Sequence, residues 1–133
     1  MRVVLDTNVF VSGIHWDGPS GKVLQDWMDG RFTLVISLPI IEELVRVLSG
    51  FKVKMDPEEI VWFETLLKEH ADQVYPIDRI QVVKDDPDDD KFFDAALEGE
   101  ADYIVSQDRH LLDIGEYAGV KVVNPVRFLE LLD

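Results

Sequence analysis

Short apolar runs alternate with stripes of apolar residues at helical spacing along almost the whole chain, and this alternation restricts the fold more than any other feature. Val3-Val4-Leu5 is a continuous apolar run, the pattern of a central strand buried on both faces. A loop containing Gly13, Gly18 and Pro19 is expected next, after which Ser20 would N-cap a helix bearing Val23, Leu24, Trp27 and Met28. Gly30 ends that helix, and Phe32-Thr33-Leu34-Val35-Ile36 reads as the second strand. Ser37 to Pro39 opens a helix with the stripe Ile40, Ile41, Leu44, Val45 and Leu48, closed by Gly50. Asp56-Pro57-Glu58-Glu59 combines a capping Asp, a first-turn Pro and a Glu three residues after the cap, ahead of Ile60, Val61, Phe63, Leu66 and Leu67. Val74-Tyr75-Pro76-Ile77 suits only an edge strand, because proline cannot donate to a central ladder. After an acidic run comes a helix with Phe92, Phe93, Ala96 and Leu97, then a strand at Tyr103-Ile104-Val105 and a short helix around Leu111-Leu112. A last strand at Val120-Lys121-Val122-Val123 precedes a terminal helix from Asn124-Pro125 with Phe128, Leu129 and Leu132. The expected fold is α/β: a three-layer sandwich with a central, mostly parallel sheet of about five strands, in a single domain over residues 1–133.

Composition narrows the function classes. The 133 residues suffice for one core, and a hydrophobic share of 47% excludes a disordered chain. There is no cysteine, which excludes disulfides, thiolate zinc sites, iron–sulfur clusters and cysteine nucleophiles. No apolar run approaches the roughly 18 residues of a membrane span. The N-terminal apolar run meets Asp6 too soon for a signal peptide, so a cytoplasmic location without membrane association is expected. The 13 Lys+Arg against 27 Asp+Glu give a net charge of −14, which repels nucleic acid at long range. A nucleic-acid role therefore needs local charge reversal, from divalent metal or a basic patch.

The acids are unevenly placed. In an open parallel sheet, ligands bind beyond the carboxyl ends of the strands where strand order reverses. Two apolar runs lead into acids there: Leu5 into Asp6-Thr7-Asn8, and Val105 into Ser106-Gln107-Asp108. An Asp after a strand also serves as a turn residue or helix cap. Glu43 lies three residues after Ile40 and four before Val47, so it borders the buried stripe, while Glu42 aligns with Arg46 as a solvated ion pair. Asp89 begins the face continued by Phe92, Phe93 and Ala96, and simple N-capping by Asp88 or Asp89 is the alternative reading. Asp90 and Asp94 share another helix row, which supports the ligands or faces solvent.

Asp6, Glu43, Asp89 and Asp108 thus form a candidate constellation from separate elements. Anions gathered without a counter-charge repel and raise one another's pKa, and a divalent cation removes the conflict. All-oxygen ligands favour Mg²⁺ or Mn²⁺ over Zn²⁺, and His15, His70 and His110 are scattered as surface residues. A metal held by carboxylates polarises a phosphoryl oxygen and makes water easier to ionise, which is the chemistry of phosphodiester hydrolysis.

Ordered along the chain, Leu5-Asp6-Thr7-Asn8, Ile41-Glu42-Glu43-Leu44, Asp86-Pro87-Asp88-Asp89-Asp90-Lys91 leading to Ala96, and Ala101-Asp102-Tyr103-Ile104-Val105-Ser106-Gln107-Asp108 before Leu111-Leu112 resemble the PIN-domain family, of the kind found as ribonuclease toxins in prokaryotic toxin–antitoxin pairs. The resemblance implies a Mg²⁺- or Mn²⁺-dependent endoribonuclease with Asp6, Glu43, Asp89 and Asp108 as catalytic metal ligands. It implies supporting polar positions at Asn8 and Ser106, the latter where the family more often has Thr. Asp90 is ambiguous, because the family often has a neutral or amide residue beside its third acid. A homodimer and a small antitoxin whose segment enters the site are implied as well.

Lys91, Arg109 and His110 adjoin these acids and are candidates to touch RNA phosphates, or else are surface charges near helix ends. Lys52 and Lys54 form another small basic spot; Trp16 and Trp62 suit packing better than base stacking. The alternative to an RNA hydrolase is a non-catalytic acidic interaction module for a basic partner protein. An Asp6 phospho-nucleophile ranks last, since Asp-Thr-Asn lacks the second acid two residues on that such phosphatases carry.

Overall fold

The computed structural model describes residues 1–15, 18–50, 52–76 and 89–133. Trp16, Ile77 and the acidic run from Asp85 to Asp88 lie outside the described residues.

The chain begins with β1 (Arg2–Leu5), whose Val3, Val4 and Leu5 are fully buried. A helix follows where a loop was expected: α1 (Thr7–His15) buries Thr7, Val9 and Phe10 and packs Val11 and Ile14 against the core. Its Gly13 marks a close approach, not a loop. A Cβ there would stand 2.6 Å from Leu24 Cδ1 and 2.8 Å from the Ser20 carbonyl oxygen. Those atoms belong to α2 (Pro19–Met28), which is capped by Gly18 rather than by Ser20. Gly18 takes φ 136°, open to glycine, and Pro19 fills the first helical position. Ser20 is buried, and its hydroxyl accepts from Gln107 Nε2 at 3.1 Å.

β2 (Thr33–Ser37) runs directly into α3 (Leu38–Leu48), which buries Ile40, Ile41, Leu44 and Leu48. α4 (Pro57–His70) starts after Asp56 and buries Ile60, Phe63 and Leu67. The edge strand β3 is Asp72–Val74, two residues earlier than the sequence pattern suggested, which leaves Tyr75 and Pro76 beyond its end. α5 (Asp90–Glu98) carries the fully buried Phe92 and Phe93. β4 (Tyr103–Val105), α6 (Arg109–Ile114), β5 (Glu116–Tyr117), β6 (Val120–Val123) and α7 (Pro125–Leu132) complete the order.

The sheet has six strands in the order β3-β2-β1-β4-β6-β5, all pairs parallel except β5–β6. The strand beyond the expected five is β5, joined to β6 through Ala118 and Gly119 at φ 51° and 87°. Two successive positive φ values suit the tight turns of antiparallel hairpins. The result is an α/β fold with a mostly parallel central sheet flanked by helices. α5 packs across β1, β2, β4 and β6, and Phe128 of α7 meets the Phe32 and Tyr103 rings edge-on. Among the described residues, no helix is long and apolar enough to cross a membrane.

β1 lies between β2 and β4, so the strand order reverses between β1 and β4. The register Leu5↔Val105 brings Asp6 level with Ser106 at the carboxyl edge, and the Asp6 N–H extends the ladder by donating to the Val105 carbonyl at 2.9 Å.

Candidate metal centre

Asp6 is only 4% exposed, since it ends a central strand and starts a helix in the same step. Its carbonyl accepts from the Val9 N–H at 3.0 Å, so it serves as the cap of α1. Its carboxylate accepts from the Asn8 N–H and, at Oδ2, from the Ser106 hydroxyl at 2.7 Å. Burial nevertheless pushes the Asp6 pKa above the usual carboxylate range. The two hydrogen bonds oppose that rise, and the charges of Asp108 and Glu43 add to it.

The same Ser106 hydroxyl accepts from the Asp108 N–H at 2.9 Å, so one buried oxygen ties the ends of β1 and β4 together. Asp108 in turn caps α6 through Oδ1, which accepts from the His110 N–H at 2.8 Å. For Asp6 and Asp108, therefore, the capping role coexists with convergence on one sheet edge. Asn8 acts through its backbone, as the residue itself is exposed.

Glu43 comes from α3 and is 18% exposed. Oε2 accepts from the Thr7 hydroxyl, and Oε1 lies 2.7 Å from Lys91 Nζ. Arg46 reaches the same Oε1 at 3.8 Å, so it pairs with Glu43 and not with Glu42, as its spacing had suggested. Lys91, a candidate RNA contact from its position, is turned inward at 17% exposure, its ammonium 5.6 Å from the Phe92 ring centre. That ion pair pins the start of α5 to α3. Asp89, at the N-cap position of α5, and Asp90, its first residue, are both buried. Arg109 is 92% exposed, with Nε 3.9 Å from Asp113, and His110 is exposed beside it. Trp62, expected to pack, is 59% exposed.

Ser37 is a residue that sequence reasoning passed over as a helix opener. It is 1% exposed, its hydroxyl has no hydrogen-bond partner among the described residues, and the β1–β2 register sets it level with Asp6. Adjacent strands β2, β1 and β4 thus run into Ser37, Asp6 and Ser106. A strand ending abruptly in an oxygen-bearing side chain before a helix is the shared signal.

Among the described residues, no three His, Asp or Glu side chains stand close enough together, as placed, to hold one ion. The donor chemistry does fit a hard dication: Asp6, Glu43 and Asp108 offer only oxygen, and burial of Asp6 beside two further acids leaves negative charge to be offset. A cation, the Lys91 ammonium, already sits on Glu43.

A buried Asp thus stands at the switch point of a parallel α/β sheet, joined through Ser106 to a second acid and sensing the charge of a third. The PIN domain family model matches residues 2–110, and the chain belongs to the PIN-domain family. Two solved structures share the fold. VapBC-1 from nontypeable Haemophilus influenzae is 17% identical, with a TM-score of 0.60 over 95% of this chain and 99% of that one. FitAcB from Neisseria gonorrhoeae is 13% identical, with a TM-score of 0.58 over 93% of this chain and 98% of that one. No curated protein matches the chain.

Proposed function

We propose that this chain is a Mg²⁺- or Mn²⁺-dependent endoribonuclease and the toxin of a toxin–antitoxin pair. The observation that carries the reading is the Asp6–Ser106–Asp108 connection at the strand reversal, with Glu43 close enough to raise the Asp6 pKa. Membership of the PIN-domain family supports the nuclease assignment. In this reading Asp6, Glu43, Asp89 and Asp108 hold the metal, and Asn8, Ser106 and Asp90 steady them. Bound there, a dication supplies Lewis acidity to the scissile phosphate and eases the ionisation of water. Ser106 holds Asp6 in one orientation through its hydroxyl. Arg109 and His110, exposed next to Asp108, offer contacts to RNA phosphates.

A partner protein is supported by a cleft of about 430 Å³ between α1, α2 and α4, lined by Ile14, Leu24, Met28, Trp62 and Phe63, with Glu58 and Glu59 at its margin. An apolar segment of an antitoxin carrying basic residues matches this lining. In this reading the chain is a single-domain protein that acts in the cytoplasm as a homodimer. A second reading, a non-catalytic acidic module for a basic partner, is favoured by Glu43 being engaged on both oxygens by Thr7 and Lys91.

The two readings separate on metal. A site filled at a hundred times its dissociation constant stabilises the fold by about 2.7 kcal/mol. The nuclease reading expects Mn²⁺ to raise the melting temperature accordingly, and single-stranded RNA to be cut in Mn²⁺ but not in EDTA. A melting temperature indifferent to Mn²⁺ and Mg²⁺ would leave the interaction module standing.

A further inference from the structure

Lysine is almost never buried without a partner, and its ammonium usually reaches water at the end of its stem. Lys91 departs from that habit. At 17% exposure it directs Nζ onto Glu43 Oε1 at 2.7 Å, while the Thr7 hydroxyl holds Oε2 of the same carboxylate. Each oxygen of Glu43 is thereby engaged within the chain. Neither α3 nor α5 alone accounts for this pair: the residues are far apart in sequence, and the pair closes the contact between the two helices.

We infer that Lys91 is a positioning residue, a built-in counter-cation that holds Glu43 in the metal-free protein and competes with the dication for it. This inference rests on the metal-dependent reading above and extends it to how the site is loaded. A carboxylate that neutralises an ammonium at 2.7 Å cannot give the same lone pairs to a metal. Each oxygen keeps a second lone pair, but a dication taking it would stand close to the ammonium charge, so loading the ion favours release of Oε1 by Lys91. Once released, its flexible stem lets the ammonium swing outward, where it meets the phosphate of an incoming strand. The same side chain then stabilises the empty site, weakens metal binding and becomes available to RNA only after the metal has entered. Arg46, at 3.8 Å and 76% exposed, is too distant and too solvated to replace it.

The test is direct titration of Mn²⁺ into the metal-free full chain by calorimetry, comparing wild type with Lys91→Met and Lys91→Arg. Methionine keeps an unbranched apolar stem of similar length without the charge, and arginine keeps the charge. Lys91→Met is expected to bind Mn²⁺ about tenfold more tightly, the scale of one charge-assisted hydrogen bond that no longer has to be given up. Lys91→Arg is expected to stay near wild type, and thermal melts without metal should rank Lys91→Met below both. Equal or weaker Mn²⁺ binding by Lys91→Met, with wild type binding normally, overturns the counter-cation and leaves the nuclease reading intact. No Mn²⁺ binding by any of the three chains overturns both.

Discussion

The Ser106 hydroxyl donates to Asp6 Oδ2 at 2.7 Å and is wholly buried with it. This contact is one of the two that pull the Asp6 pKa down against burial, so Ser106 sets how readily Asp6 ionises. Ser106→Ala should cost about 1–2 kcal/mol of stability, because the Asp6 oxygen and the Asp108 N–H both lose a partner. It should also raise the Asp6 pKa further. Urea unfolding and carboxyl-carbon NMR titration of metal-free protein read the two effects, and an unchanged Asp6 titration would remove Ser106 from the argument.

Asp6 makes the metal-free protein sensitive to pH in a definite direction. Its folded pKa lies above the ordinary value of 3.8, so between those two points the folded chain holds a proton that the unfolded chain has lost. Stability then falls as pH rises through that window, and the full penalty persists above the folded pKa. Asp6→Asn removes this contribution. In EDTA, the variant should be at least as stable as wild type at pH 7, and its advantage should shrink as pH falls towards 3.8. Denaturant unfolding across pH checks this; a variant less stable than wild type at neutral pH contradicts it. The same variant should lose the Mn²⁺-dependent rise in melting temperature.

Asp26 is entirely buried in α2, where it pairs with Lys22 at 2.8 Å and Arg31 at 3.2 Å. Arg31 also reaches Asp133 at 2.9 Å, tying the end of α7 to the turn after α2. Both cations are more than a third exposed and regain water when Asp26 is neutralised, so the loss falls below that of a fully enclosed pair. Asp26→Asn is expected to cost about 2 kcal/mol. Because the pair lies away from the Asp6 pocket, Mn²⁺ affinity should stay unchanged in calorimetry.

How much of this was legible in the sequence depends on the range of each interaction. The buried strands β1, β2, β4 and β6 announced themselves as local apolar runs, and Asp6 and Asp108 followed from their placement after two of them. α1 did not, because a glycine inside a helix looks like a loop until the neighbouring α2 supplies its reason. β5 is two exposed residues, Glu116 and Tyr117, with no apolar run to betray it. Lys91 read as a candidate RNA-phosphate contact or a surface charge, since its partner Glu43 stands on another helix. Ser37 looked like a cap because serine favours that position, and only the strand register sets it beside Asp6. Patterns held within one element were readable; contacts made across elements were not.

Gly13 offers the sharpest test of the α1–α2 contact, because two effects of known sign compete there. Replacing a mid-helix glycine by alanine normally stabilises by about 1 kcal/mol through backbone entropy. Here the added Cβ would meet Leu24 Cδ1 at 2.6 Å and the Ser20 carbonyl oxygen at 2.8 Å. Leu24 can change rotamer, but the Ser20 oxygen is helix backbone, so α2 itself must shift. Overpacking of that kind costs about 1–3 kcal/mol. Gly13→Ala should therefore be net destabilising by about 1 kcal/mol, read by urea unfolding. Gly13 also lines the cleft between α1, α2 and α4, so the displacement should reach Trp62 and change its fluorescence. A stabilised Gly13→Ala variant would mean that the two helices pack less closely than 2.8 Å contacts require.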